Sequence, residues 1–400
     1  MEKKLYLVGG AVRDKLLGLE IYDKDYVAVG YEPKDFAHLK QVGKDFPIFL
    51  DENGNEIALA RVEKKVGIGY GGFSVTTKNV TLQEDLSRRD LTINSIAYDE
   101  NTCEYFDPFC GVQDLKRKVL RHTSQAFGED PMRVLRLARF KAKLGSDWKI
   151  HHTTKVLVYG MKNELKTLQK DRVYKEIVKV FDTKKSRIFF ETLFELGVLE
   201  DIFPSIYTLT TLKEGSVYHM ESSCFEHTMC VLEKVQEKSI LLQFCALYHD
   251  IAKPYCYRKF GNSSGHDNPL LVASLLDIQI PVKIKKDLLF IIQNHIKIAI
   301  LDQMKASKIA TFFESFRKRK DLLIDLLDLH DCDNHGRICF KPITNLDRKK
   351  IINTFDAINN YKVQHWLDTF DSRPSNEAIA QHIHKTNIVI INKVFFQKNI

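Results

Sequence analysis

The hydrophobic pattern of the chain changes period at Asp130-Pro131, and that change excludes a uniform fold. Before it lie short β-branched or aromatic runs, Leu5–Val8, Tyr26–Val29, Ile57–Val62, Phe73–Thr76 and Ile93–Tyr98, bounded by Gly, Asp or Asn. Such runs read as strands. After it, apolar residues recur at helical spacing through Met132, Leu135, Phe140 and Leu144, and again in Ile188–Leu199 and Ile240–Ile251. Asp130 is expected to cap the first of these helices, with Pro131 in its first turn. The fold class read from this is an α/β head, a mixed sheet with helices, followed by an all-α neck and body. The 400 residues allow two to four domains at roughly 100–200 residues each. The expected boundaries are a head at 1–130, a helical neck at 131–205, a helical domain at 206–335 and a helical C-terminal tail region at 336–400.

Composition narrows the class without choosing a function. Hydrophobic residues make up 44% and charged residues 28%, a globular rather than a disordered balance. No stretch of about 18 apolar residues occurs, so no membrane span or membrane partner is expected. The apolar run Leu5–Val8 is too short for a signal core, and a cytoplasmic location is expected. The cysteines are Cys103, Cys110, Cys224, Cys230, Cys245, Cys256, Cys332 and Cys339. No two of them are separated by only two residues, the spacing that zinc ribbons and redox pairs usually need, so they are expected as free thiols. A net charge of +8 is compatible with a polyanionic partner. The basic clusters Lys116–Lys118, Lys283–Lys286 and Arg317–Lys320 read as solvated helix faces.

Chemistry concentrates near the N-terminus. Gly9-Gly10-Ala11-Val12-Arg13-Asp14 follows a strand and opens a helix. Glycine lets the backbone approach a bound group, a helix N-terminus supplies N–H donors, and Arg13 adds a guanidinium, so a phosphate would fit there. The turn lacks the G-x-G-x-x-G pattern of a dinucleotide site. Asp23-Lys24-Asp25 is expected to begin the next strand, where residues two apart face the same way. Two adjacent carboxylates repel unless a cation sits between them. Magnesium, with its oxygen ligands and positions left open for phosphates, suits such a pair and two-metal phosphoryl chemistry. Farther on, Arg133, Arg136 and Arg139 recur every third residue as a slanting helical stripe, with Asp130 one turn before Arg133. A carboxylate that accepts beside a guanidinium that donates can match the edge of cytosine or adenine.

Leu7–Asp14 with Asp23-x-Asp25 resembles the signature of class II CCA-adding enzymes and their relatives, the bacterial poly(A) polymerases. The resemblance continues through Gly43-Lys44-Asp45-Phe46-Pro47, Ala60–Phe73, Asp85–Ala97 and Phe127–Phe140. It covers head and neck almost continuously, with five motifs in order. It implies a nucleotidyltransferase head in which Asp23 and Asp25 hold catalytic Mg2+. Gly10 and Arg13 would line the triphosphate, and Arg89 with Asp90 would meet sugar and phosphates. Asp130 and Arg133 would read the base of CTP or ATP, with Arg136 and Arg139 completing the nucleotide contacts.

A second constellation follows Ser216. His227, the dyad His249-Asp250 at the end of an apolar run, His266 and His295 are costly to bury unless paired or bound to metal. The pattern resembles the HD phosphohydrolase superfamily, a domain carried by one bacterial subgroup of CCA-adding enzymes. The resemblance implies that His227, His249 and Asp250 bind a divalent metal, with a transition metal such as Ni2+ considered. His266 and His295 fall where further polar site residues would lie, and Asp331 and Asp333 both fit the last aspartate.

The combined reading is a tRNA nucleotidyltransferase that adds CCA to the tRNA 3′ end from ATP and CTP, with a second phosphohydrolase activity in an HD-type helical domain. No DNA partner is expected, and the chain would act as monomer or dimer. A poly(A) polymerase and a CC-adding enzyme share the head. The HD dyad disfavours the first, and the full-length loop Arg61–Tyr70 disfavours the second. An HD phosphohydrolase with a merely RNA-binding head is disfavoured by the intact Asp23 and Asp25.

Overall fold

The computed structural model describes residues 2–42, 47–65, 73–213, 220–338 and 346–397. Residues 43–46 and 66–72 of the motif regions, and Cys339, lie outside them. The chain divides into two compact units, Met1–Pro204 and Ser205–Ile400.

The first unit is built on a mixed seven-stranded sheet, the form of head read from the sequence. Its strands are β1 (Lys4–Val8), β2 (Asp25–Val29), β3 (Lys40–Val42), β4 (Ile48–Leu50) and β5 (Glu56–Leu59). A two-stranded ribbon follows, β6 (Val62–Lys65) with β7 (Phe73–Thr76), before β8 (Ala97–Asp99) and β9 (Glu104–Phe106) return to the main sheet. The order is β3-β4-β5-β2-β1-β8-β9, with β2 and β5 parallel and the other neighbours antiparallel. Val8 and Val27 pack with Val29, Ala60, Leu86 and Ala97 in one buried cluster.

Two expected strands are corrected, each because side chains take over backbone partners. The run Ile57–Val62 breaks at Arg61. Its N–H donates to Asp85 Oδ1 at 3.2 Å and its carbonyl accepts Arg88 Nε at 3.0 Å, so that residue leaves the main sheet. In Ile93–Tyr98 only Ala97 and Tyr98 are strand; Thr92–Asn94 is a 3-10 turn. Ser95 Oγ donates to the Leu91 carbonyl at 2.9 Å and Asn94 Nδ2 to Asp90 at 3.0 Å, local bonds that compete with a ladder.

The helix Gly111–Arg117 lies so close to this turn that a Cβ on Gly111 would stand 2.2 Å from the Thr92 carbonyl oxygen and 2.8 Å from Ile96 Cγ1. Gly111→Ala is therefore expected to cost about 1–3 kcal/mol through overpacking. A urea unfolding midpoint that does not fall would show that the turn yields instead.

The helix after the period change spans Met132–Leu144, one residue later than expected. Pro131 takes the cap position, and Asp130 Oδ1 still accepts the Met132 N–H at 3.0 Å. Farther along, Ile188–Leu199 is interrupted after Ser186–Glu195 by Gly197, whose φ of +68° turns the chain out of the helix. The second unit has helices and no strand among its described residues. Cys224–Lys234, Ile240–Tyr248, Val282–Ala299 and Lys320–Gly336 pack around Phe244, Tyr248, Ile291 and Leu323. The C-terminal stretch forms the helix Asn376–Val394, which packs on Ala306–Ser315 and Arg348–Asn360. There the buried Asn387 donates to Glu314 at 3.0 Å. No disulfide joins any two of the seven described cysteines.

Candidate active site

A cleft of about 800 Å³ opens in the first unit where β1 runs into the Gly9-Gly10 turn. Strand register sets its floor. Val8, the last residue of β1, pairs with Asp25, the first of β2, which brings the Asp25 carboxylate beside the turn. Gly9 has φ +70°, a conformation that costs little only for glycine. A Cβ there would stand 3.3 Å from Arg89 Nη1 and 3.7 Å from Asp25 Oδ2. Asp23 lies just before the strand rather than within it, as a correction to the expected start, yet it lines the same cleft. Among the described residues neither carboxylate accepts a hydrogen bond. Crowding by the chain pushes the Asp25 carboxyl up from its ordinary value, although the side chain keeps solvent contact. The charge of Asp23 adds to this push and Arg89 opposes it.

The cations of the cleft are held by their neighbours. Arg13 is buried and donates to Asn94 Oδ1 at 2.8 Å and to both oxygens of Asp14 at 2.8 and 2.9 Å. Arg89 Nη2 reaches Asp85 at 3.3 Å, while its buried Nε has no hydrogen-bond partner among the described residues. Asp90 is buried and takes Arg136 through Nε and Nη2 at 2.8 and 2.7 Å. Burial works against its charge, but Arg136 outweighs that and holds the carboxyl below its ordinary value. Arg139 Nε donates to Glu176 at 2.5 Å and Arg133 Nη1 to the Ala126 carbonyl at 2.7 Å. Asp130 Oδ2 stands 3.8 Å from Arg172. The guanidiniums of Arg13, Arg136 and Arg139 lie 5.2, 5.8 and 4.9 Å from the centre of the Phe140 ring. Nine Lys and Arg line the cleft against four Asp, a field that favours a polyanion with cations at one edge.

In the second unit, six of the expected residues converge. His227 Nε2 lies 3.4 Å from His249 Nε2, 2.9 Å from Asp333 Oδ1 and 3.9 Å from Asp250 Oδ2. His249 Nε2 is 3.2 Å from Asp250 Oδ2. Asp250 Oδ1 is 3.5 Å from His266 Nε2, which faces His295 Nε2 at 3.2 Å. All are buried. Asp331 instead pairs with Arg348 at 2.5 Å, so Asp333 is the aspartate brought to the cluster. Burial works against a charge on His227, but the carboxylates of Asp333, Glu221 and Asp250 outweigh it and hold its pKa at about 9. Burial, helped by His266, keeps His295 near 3.

The family described as "Poly A polymerase head domain" matches residues 5–121, and "Probable RNA and SrmB- binding site of polymerase A" matches 147–209. The Multifunctional CCA protein of Shewanella denitrificans is 39% identical over 349 residues, covering 84% of each chain. The chain belongs to the multifunctional CCA protein family. The solved "structure of CCA-adding enzyme apo form II" shares the fold, with a TM-score of 0.62 at 19% identity over 99% of this chain and 92% of that one. The Bacillus stearothermophilus CCA-adding enzyme in complex with CTP does so at a TM-score of 0.61 and 18% identity, covering 99% and 89%.

In this member of the CCA family, every nucleotide-site residue singled out by sequence lines one cleft: Gly10, Arg13, Asp23, Asp25, Arg89, Asp90, Asp130, Arg133, Arg136 and Arg139. A divalent metal comes with a nucleotidyltransferase family, and two carboxylates with open lone pairs fit one. Sequence reading gave no site role to Arg61, Arg88, Asn94, Phe140, Lys143 and Lys179, which also line the cleft. Lys143 extends the arginine stripe by one turn and was legible in principle. Lys179 comes from the separate helix Lys170–Asp182 and carries no local signal. Glu221 and Lys253 were likewise missed; they contact His227 at 3.3 Å and Asp250 at 2.8 Å. No helix among the described residues is long and apolar enough to cross a membrane.

Proposed function

We propose that the chain adds cytidine, cytidine and adenosine to the 3′ end of tRNA from CTP and ATP, releasing pyrophosphate without a nucleic-acid template. The observation that carries this reading is the single cleft that gathers an aspartate pair, a glycine turn and an arginine stripe in a chain 39% identical to a multifunctional CCA protein. Asp23 and Asp25 would hold Mg2+, which when bound supplies charge stabilisation to the reacting phosphate and the attacking 3′-oxygen. The Gly9-Gly10 turn lets a triphosphate approach the backbone. Arg89, whose buried Nε has no partner among the described residues, would meet its oxygens. Asp90 acts on Arg136 by fixing its direction, and Glu176 does the same for Arg139. Asp130 and Arg133 would read the base edge. The test is direct: tRNA lacking its terminal CCA, offered CTP, ATP or both, with the products sequenced. Tails of adenosine alone would point to a poly(A) polymerase, and products ending at CC to a CC-adding enzyme.

Arg133→Ala is expected to spoil the choice of base more than the binding of triphosphate, because a good bidentate contact discriminates by about 1–3 kcal/mol. Misincorporation of UTP or GTP would rise. If fidelity is unchanged and KM increases equally for all nucleotides, Arg133 holds phosphate instead.

We further propose that the second unit is a metal-dependent phosphohydrolase acting on a 2′,3′-cyclic phosphate or a phosphomonoester. His227, His249, Asp250 and Asp333 fit a transition metal such as Ni2+: nitrogen and carboxylate donors, buried, within reach of one another. The division proposed for the chain is a head at 1–130, a neck at 131–205, an HD-type domain at 206–335 and a C-terminal helical region at 336–400. A cytoplasmic location and a monomeric or dimeric state belong to the same proposal.

A further inference from the structure

We infer that Phe140 is a positioning residue for nucleotide binding, its ring holding Arg13, beside the glycine turn, together with Arg136 and Arg139 of the helical stripe. The inference rests on the nucleotide reading of the cleft and adds to it a residue that the nucleotide need not touch. Phe140 is 6% exposed, so its ring offers a ligand little surface. Its neighbours are cations instead. The guanidinium carbons of Arg13, Arg136 and Arg139 stand 5.2, 5.8 and 4.9 Å from the ring centre. All three lie inside the reach of a cation–π contact, about 6 Å. Arg136 and Phe140 are one turn apart on the helix Met132–Leu144, the spacing at which side chains meet. Arg13 comes from a different helix, Gly10–Leu16. The ring therefore joins the side of the cleft read as phosphate-binding to the side read as base-selecting.

Three guanidiniums gathered around one centre repel one another. Carboxylates from three separate segments balance them: Asp14 beside Arg13, Asp90 on Arg136 and Glu176 on Arg139. On the stripe, these ion pairs hold only one edge of each guanidinium. Arg136 turns Nε and Nη2 to Asp90, and Arg139 turns Nε to Glu176. A planar group held by one edge can still swing about it. A π system within reach opposes that swing and consumes no N–H donor. Arg136 Nη1 and both Nη groups of Arg139 donate to nothing among the described residues, so they remain for a ligand of the cleft. A leucine would fill much of the same space but carries no negative face, so the ring acts through its charge distribution rather than its bulk. Because one ring serves all three arginines, weakening it should loosen phosphate binding and base choice together.

The test places phenylalanine analogues with successively more ring fluorines at position 140 of the full chain. Fluorine draws charge from the ring face while scarcely altering its volume, so packing is kept and the attraction for cations falls step by step. With tRNA lacking its terminal CCA, KM for CTP and for ATP is expected to climb along the series, reaching about tenfold, with kcat changing far less. Misincorporation of UTP and GTP should climb in the same order. Calorimetric binding of tripolyphosphate should weaken in parallel, because Arg13 shares the ring. Phe140→Leu should fall at the far end of the series. Thermal unfolding identifies the folded samples, and the fluorinated chains decide the matter should the leucine variant fail to fold. KM, fidelity and tripolyphosphate binding that all stay flat along the series overturn the inference and leave Phe140 as packing alone. A rise in KM with tripolyphosphate binding unchanged overturns the shared hold on Arg13. If the parent adds adenosine alone or stops at CC, the CCA reading falls, while the trend along the series still decides the role of the ring. If the parent adds nothing, the calorimetric affinities for CTP and tripolyphosphate decide it.

Discussion

Asp23→Ala and Asp25→Ala are each expected to abolish nucleotide addition in a protein that remains folded. Both side chains are exposed, so truncation opens no cavity in the sheet. Asp25 stands at the end of its strand, and the backbone pairing with Val8 does not depend on its side chain. On the proposed reading, what is lost is a cation ligand. Charge stabilisation of several kcal/mol disappears with it, which corresponds to a rate loss of about a thousandfold or more. Stability should hold or rise slightly, since the carboxyl of Asp25 is pushed up by its crowded surroundings and by the charge of Asp23. Single-turnover incorporation of CTP, together with thermal unfolding of the same samples, separates the two effects. Near-normal turnover in either variant would sink the two-aspartate assignment.

The two carboxylates were legible because their position relative to the glycine turn is local in sequence, and strand register then brings them together. The arginine stripe was legible for the same reason: three residues on one helix keep their spacing whatever the helix packs against. Lys179 and the pairing of Asp90 with Arg136 depend on how separate elements pack, and no periodicity encodes that. Strand ends failed where side chains intervened. At Arg61 and at Asn94 the hydrophobic run continues in the sequence, while Asp85, Arg88 and Asp90 divert the backbone. In the second unit the dyad announced itself by the cost of burying His and Asp inside an apolar run. The choice between Asp331 and Asp333 could not be made from spacing alone. Both lie on the helix Lys320–Gly336 two residues apart, so they face different directions, and only packing shows that Arg348 takes the first and the histidine cluster the second.

His249→Ala is expected to remove hydrolysis of a 2′,3′-cyclic phosphate while CCA addition survives. His249 belongs to the compact unit Ser205–Ile400, whereas every residue lining the nucleotide cleft lies in Met1–Pro204. The chemistry proposed at His249 needs none of the head carboxylates. The imidazole is held by its Nδ1–H on the Ala246 carbonyl, and its Nε2 lies 3.2 Å from Asp250 and 3.4 Å from His227. On the proposed reading, deleting it removes a metal ligand and leaves Asp250 buried with one polar neighbour fewer, though Lys253 remains at 2.8 Å. Some loss of stability is therefore expected, about 1–3 kcal/mol for a disrupted buried polar partner. His249→Asn, which keeps a polar group and part of the volume, should lose hydrolysis with less destabilisation. Hydrolysis is to be assayed with Mg2+, Mn2+, Ni2+ and Co2+, and CCA addition on the same preparations. No hydrolysis by the parent protein with any of these ions would make the cluster a structural relic. Loss of CCA addition in a folded His249→Ala protein would mean that the two activities are not separable, and the division of labour proposed for the two units would be wrong.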